Sequence, residues 1–273
     1  GGTLYTAAHH QPEGPFAGRH IVDGGRPSPC NDAAIPELDS EFVSGSMLVS
    51  HIDLDTLGGL WRAQGRHGMF KGYESFWALA EFVDCNGPHR LIQAGASEED
   101  IRRLYAFWAY AKTLPRLPRD RVTDITEMVN EASGVVAGIL TEAATDRLAA
   151  GDAFRVAEHE LNERTFRNLS PSGMVERVAE SATDFCNHLY STPDGRAGRA
   201  VVCHNTANGS ITVSLAEPIP GVSCREIVQS LWGPEAGGHD GIAGSPRGRV
   251  MTDEDAYQVA MLVHYMLIGE TPE

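Results

Sequence analysis

The stretch Ser50-His51-Ile52-Asp53-Leu54-Asp55-Thr56-Leu57-Gly58 puts an imidazole and two carboxylates at every second position, directly after the apolar run Met47-Leu48-Val49. On an extended backbone alternate residues share a face. His51, Asp53 and Asp55 are therefore expected to project one way from the end of a strand. Two carboxylates held that close repel each other unless a cation lies between them, so a divalent metal is the expected partner. An imidazole mixed with carboxylates suits manganese, iron or zinc better than calcium. On spacing alone, a surface strand end with incidental charges is the plainer alternative.

Three further segments carry groups of the same kind. Phe82-Val83-Asp84-Cys85-Asn86-Gly87-Pro88-His89 brings an apolar approach to Asp84, with His89 beyond a turn; a turn-initiating aspartate is the simpler reading. Ala8-His9-His10-Gln11-Pro12 offers two adjacent histidines, of which an extended backbone can direct one to a shared metal. Ala236-Gly237-Gly238-His239-Asp240-Gly241-Ile242-Ala243-Gly244 is different in character. Its glycines let backbone amides approach an anion. His239 can donate to a phosphate or a developing oxyanion, and Arg247 adds a forked donor suited to phosphate or carboxylate. By itself a Gly-Gly-His is weak, since glycine-rich turns are common.

The elements that would position these groups fall into three zones. In residues 1–95, Thr3-Leu4-Tyr5-Thr6-Ala7 and Ser46-Met47-Leu48-Val49-Ser50 read as buried strands, and Asp23-Gly24-Gly25-Arg26-Pro27 as a loop. Residues 57–64 and 75–82 read as helices, the second with Phe76, Trp77, Leu79 and Ala80 on its apolar face. Residues 96–192 read as a helical connector. Ser97 is its first N-cap, Ile101, Leu104, Tyr105 and Trp108 follow at helical spacing, and Pro115 and Pro118 break the pattern. Further helices are expected over residues 124–150, 153–167 and 172–190. In residues 193–273 the period changes. Residues 200–204 and 210–215 read as two strands about an Asn208-Gly209 turn. A short helix over 224–231, the glycine-rich loop and a closing helix over 253–267 capped by Thr252 complete the zone.

With these residues in view, the chain resembles the DHH/DHHA1 phosphoesterases. Ser50-His51-Ile52-Asp53-Leu54-Asp55 resembles their first motif, with Thr56 where glycine is common. Asp84 resembles the strand-end aspartate of the second motif. His9-His10 resembles the namesake segment, although Ala8 replaces its aspartate and the segment precedes the first motif. The family's remaining aspartate has no clear counterpart; Asp124 is equally well a helix cap. In the last zone, a strand holding Ile211-Thr212-Val213-Ser214-Leu215, a helix holding Arg225-Glu226-Ile227-Val228, and then Gly237-Gly238-His239 follow the order of a DHHA1 domain. Ala216 stands where that domain often carries arginine, and Ala236 shortens its glycine triplet.

The resemblance implies an α/β fold: an N-terminal DHH-like α/β metal-binding lobe (1–95), a helical connector (96–192) and a smaller C-terminal DHHA1-like substrate-binding lobe (193–273), with the active-site cleft between the lobes. It implies metal ligation by His51, Asp53 and Asp55, with Asp84, His9, His10 and His89 as further candidates. Manganese is the first choice of ion, and Fe2+, Zn2+ or Mg2+ are alternatives. His51, His239 and Arg247 are the candidate catalytic groups, and Gly237, Gly238, His239 and Arg247 the candidate substrate-binding ones. The implied reaction is hydrolysis of a phosphoester in a small nucleotide-like or other phosphorylated substrate by metal-activated water. The alternatives are the same scaffold hydrolysing a non-phosphate bond, a degenerate ligand-binding protein, and a single-strand exonuclease.

Composition narrows the partners. The 273 residues are 42% hydrophobic and 22% charged, with a formal net charge of −15. Such acidity disfavours long nucleic acid and suits a small anionic substrate held through metal. The densest basic stretch, Arg116, Arg119 and Arg121, sits among prolines and reads as a solvated loop. No apolar run approaches the roughly 20 residues of a membrane span, and the start of the sequence has no signal-peptide pattern. Five cysteines without a CxxC argue against a disulfide framework or a zinc cluster and point to a reducing cytoplasm. A homo-oligomer is left open. The remaining histidines, His204 and His264 among them, read as surface or satisfied core residues.

Overall fold

The computed structural model describes residues 5–8, 19–22, 52–64, 66–115, 117 and 123–269. The chain is a mixed α/β protein that divides into two compact units, Gly1–Arg155 and Val156–Glu273. Among the described residues no helix is long and apolar enough to cross a membrane.

In the first unit, β1 (Tyr5–Ala8) pairs in parallel with β2 (Arg19–Val22), Tyr5 opposite Arg19. The other regular elements described in this unit are helices: α1 (Leu54–Ala63), α2 (Glu74–Asn86), α3 (Glu98–Ala111), α4 (Thr126–Leu140) and the first half of α5 (Thr145–Thr165). These helices share one core. Trp61 of α1 packs edge-on against Trp77 of α2, ring centres 5.7 Å apart, and its indole N–H donates to Ser133 of α4 at 3.1 Å. Leu104, Ala106, Val136 and Ile139 fill the remainder. As the sequence predicts, Ser97 caps α3, its hydroxyl accepting from the Asp100 N–H at 3.1 Å. A helix break was expected near Gly151, but α5 runs straight through it. There α3 and α5 approach so closely that a Cβ on Gly151 would lie 2.4 Å from the Ala106 nitrogen. The glycine permits a crossing; it does not end a helix. The chain breaks instead between α4 and α5, where Glu142 takes a positive φ of 57°.

In the second unit a six-stranded mixed sheet runs β3 (Phe166–Leu169), β4 (Met174–Ala179), β5 (Ala200–Asn205), β6 (Ser210–Leu215), β8 (Ile242–Gly244), β7 (Gly237–His239) across its width. Only the β4–β5 pair is parallel. Helices α6 (Cys224–Trp232) and α7 (Asp253–Ile268) close one face over Met174, Val202, Ile211 and Val213. Val175, Val201 and Cys203 point to the other face, with Leu161 and Phe166 packed against them. The expected hairpin over Asn208-Gly209 and the closing helix are present. α7 begins in a full capping box, the Thr252 and Asp255 side chains each accepting from the other's backbone.

The helix expected over residues 172–190 is not there; β4 occupies its first half, and 181–199 hold neither helix nor regular strand. The cause is two-sided burial. β4 lies inside the sheet with Met174 on one face and Val175 and Ala179 on the other, so the apolar–polar alternation of a half-exposed strand is lost and its apolar positions also fit a helical period.

Candidate functional site

The first motif is built on the start of α1. Ile52 is buried, and Asp53 stands half-buried just before the helix. Its Oδ1 accepts the Thr56 N–H at 2.7 Å, while its carbonyl accepts the Leu57 N–H at 3.1 Å. Asp53 is thus a helix N-cap, satisfying amides that the first turn would otherwise leave bare. Asp55 falls within that first turn, where a carboxylate also suits the positive end of the helix. The expectation of a shared strand face is therefore corrected. Beyond Asp53 the backbone is helical, because an aspartate cap followed by Leu54, Leu57, Leu60 and Trp61 gives the segment a buried stripe at helical spacing.

Asp84 is corrected in the same way. It lies on α2, two residues from its end and exposed, and does not terminate a strand. The helix continues past it because Phe76, Trp77, Leu79, Ala80 and Val83 keep their buried face through that turn. His89 sits half-buried in the 3-10 turn Pro88–Ala94 that follows. His9, His10 and His51 lie outside the described residues. Among the described residues no group of three or more metal-competent side chains is gathered. Asp53 and Asp55, close together at one helix start, are the part of the donor set whose chemistry suits a divalent ion.

The second motif forms a strand pair where a loop was expected. β7 and β8 are joined through Asp240-Gly241, with Gly238 opposite Ala243 and His239 opposite Ile242. Gly238 adopts φ 151°, and a Cβ there would lie 2.3 Å from the Ile242 carbonyl oxygen and 2.5 Å from the Ala243 Cα, so no other residue fits. Gly237 is the opposite case: it is exposed, and a Cβ would meet nothing within 4 Å. The hairpin is tied down from α6. Arg225 donates to the Gly238 carbonyl through Nε at 2.7 Å and Nη2 at 2.5 Å. The Cys224 N–H donates to the Asp240 carbonyl at 2.8 Å, and the Ser223 hydroxyl to Asp240 Oδ1 at 2.7 Å.

Asp240 thereby sits at the positive end of α6, and His239, the open Gly237 edge and Arg247 are exposed. Arg225 and Asp240 were not singled out from the sequence. Ser223 and Glu226 form the Ser-x-x-Glu signal of a helix start, which marks the anchoring residues next to them.

The same unit has a cavity of about 350 Å³ between the β4–β5 strands and α7, lined by Met174, Val202, His204, Ala260 and His264 among others. His264 Nδ1 lies 2.9 Å from the Ser172 hydroxyl, and His204 is buried with Nε2 3.3 Å from the Met251 carbonyl. Both histidines are satisfied, as the sequence suggests. No protein-family model matches the chain, and no curated protein matches it significantly.

Proposed function

We propose that the chain is a metal-dependent hydrolase that cleaves a phosphoester bond in a small nucleotide-like or other phosphorylated substrate, with a DHH-like metal-binding region and a DHHA1-like substrate-binding region. The observation that carries this reading is the β7–β8 hairpin. Its one sterically obligatory glycine, Gly238, is locked by Arg225, while its neighbours Gly237 and His239 are exposed. A rigid, side-chain-free edge flanked by an imidazole and the Arg247 guanidinium is suited to holding a phosphoryl group.

In this reading His51, Asp53 and Asp55 would hold the cation, with His9, His10, Asp84 and His89 as its further candidate ligands. A divalent ion bound there supplies neutralisation of phosphoryl charge and acidification of water. The chain's own groups do the rest. Gly237 and Gly238 admit the anion to the backbone, and His239 and Arg247 hold its oxygens as charge develops. Manganese is the first ion to test, with Fe2+, Zn2+ and Mg2+ beside it. A cytoplasmic protein of net charge −15 acting on small anions, with no preference for long nucleic acid or membrane, fits this scheme.

The test is a panel of phosphomonoesters, dinucleotides and longer oligonucleotides, assayed on the purified chain with each ion, beside elemental analysis. Manganese-dependent cleavage of the small members, reduced at least tenfold in His239→Ala with metal content unchanged, is the expected result. Metal retention without cleavage of any member would point to the same scaffold hydrolysing a non-phosphate bond, less than one tight equivalent of metal without cleavage would leave a ligand-binding protein, and cleavage that rises with chain length would make it an exonuclease.

A further inference from the structure

Away from both motifs, the second face of the C-terminal sheet buries a cationic and thiol-bearing cluster. Arg177, in the middle of β4, is 1% exposed. Its guanidinium donates to the Leu189 carbonyl (2.7 Å), the Asn162 carbonyl (3.1 Å), the Thr165 hydroxyl (3.0 Å), Asn162 Oδ1 (2.7 Å) and the Ser191 carbonyl (2.8 Å). Every one of these acceptors is neutral. A buried guanidinium without a bonded carboxylate carries a large desolvation cost. That burial lowers its pKa to about 10, which still leaves it charged at neutral pH.

Two thiols, those of Cys186 and Cys203, lie in the same cluster as Val175 and Ala179, the residues two before and two after Arg177 on β4. Cys186 Sγ lies 3.1 Å from Cys203 Sγ, and both cysteines are free and buried. The hydrogen bond from Cys203 holds the Cys186 thiol below its ordinary value, with the Arg177 charge and the Thr165 hydroxyl acting in the same direction against burial. Cys203 is displaced upward by the same bond and by burial, so it is the partner that keeps its proton. The other charged group bearing on the pair is Asp184, which opposes thiolate formation and is itself held by Arg164 at 2.7 Å.

We propose that Cys186 and Cys203 form a reversible redox site, in which Arg177 stabilises a Cys186 thiolate that a small peroxide oxidises and Cys203 resolves to an intrachain disulfide. The Cys186 thiolate attacks a peroxide oxygen and breaks the O–O bond. This gives a sulfenic acid at Cys186 and hydroxide, which takes up a proton as water. The Cys203 sulfur, giving up its proton, then attacks the sulfenic sulfur and expels a second water. In sum, two thiols and one hydrogen peroxide become one disulfide and two waters. A dithiol reverses the reaction by exchange and leaves as its own disulfide.

The two sulfurs need to draw together by only about 1 Å to reach the ~2.05 Å of a disulfide. Cys186 belongs to residues 181–199, which hold neither helix nor regular strand. They are fastened to the sheet by a few bonds, including Ser214 Oγ to the Asn187 carbonyl and Tyr190 Oη to the Leu215 carbonyl. Oxidation would make that fastening covalent, clamping the segment to β5. Cys224 is a useful internal control: it is also buried, but burial and the nearby Asp240 push its thiol up to about 12.

The test uses the full chain, reduced, desalted and treated with hydrogen peroxide. Denatured thiol counts and non-reducing peptide mapping follow, with fragmentation to separate Cys203 from Cys224. The expected result is loss of two thiols per chain, a peptide pair joined Cys186–Cys203, and full recovery with dithiothreitol. In Cys203→Ser the sulfenic acid has no resolving partner, so dimedone should label Cys186. Arg177→Met should slow oxidation about tenfold or more if it folds, and the Cys203→Ser labelling stands independently of whether it does. A chain in which Cys186 and Cys203 stay unlinked while other thiols are consumed, or in which Cys186 of Cys203→Ser takes no dimedone, would overturn the proposal.

Discussion

The glycine hairpin and the start of α1 make an instructive pair. In the hairpin, necessity and freedom alternate from one residue to the next. Gly238 is dictated by the Ile242 carbonyl and Ala243 pressed against it, whereas Gly237 next to it faces open space. At the start of α1 one side chain answers to two demands. Asp53 is the residue the proposed metal site needs most, and it is also the cap that the Thr56 amide requires. A substitution in the hairpin can separate architecture from chemistry by choosing the glycine. At Asp53 the two are separable only by choosing the replacement.

Gly238→Ala should give the largest effect. The Cβ clash and the backbone conformation together should cost about 3 kcal/mol, read as a lowered midpoint in chemical denaturation. Gly237→Ala should stay within roughly 0.5 kcal/mol of the parent, yet lower turnover of a phosphoester if that edge holds the anion. Equal destabilisation by the two alanines would erase the contrast within the hairpin.

Next in size comes the cap. Asp53→Ala should lose about 1 kcal/mol, whereas Asp53→Asn, an equally good N-cap, should keep its thermal midpoint. If both lose the same stability, Asp53 is held by something other than the Thr56 amide.

The smallest effect belongs to Asp255 in the α7 capping box. Its backbone bond from Thr252, then the Thr252 hydroxyl, hold its carboxyl below the ordinary aspartate value of 3.8. A carboxyl lowered in the folded state stabilises above its unfolded value, and that stability is lost as pH falls through the folded one. The difference in denaturation midpoint between the parent and Asp255→Asn should therefore be constant near neutrality and shrink below about pH 4. A gap that widens on acidification would refute the assignment.

How much of this was legible in the sequence follows from how local the determinants are. The Asn208-Gly209 hairpin and the Ser97 and Thr252 caps were readable because a few adjacent residues specify each of them. The exposed His239 and Arg247 were found from their glycine-rich setting, although that setting is a strand pair where a loop was expected. What escaped depends on distant partners. β4 is covered on both faces by sheet neighbours and segments far along the chain. Gly151 sits inside α5 only because Ala106 crosses there. Arg177, read from sequence, is one more polar residue; its burial depends on acceptors at 162, 165, 189 and 191 that only folding assembles. The start of α1 was misplaced for a nearer reason, since an aspartate before a leucine-rich run signals a cap as well as a ligand.

The most direct measurement compares manganese content and hydrolysis of a small phosphoester panel in the parent chain and in Asp53→Asn. A metal-dependent hydrolase built on this helix start should bind manganese and turn over in the parent, and lose both in a variant that melts at the same temperature. Undiminished turnover in Asp53→Asn, or a parent chain that takes up no manganese and cleaves nothing, would contradict it.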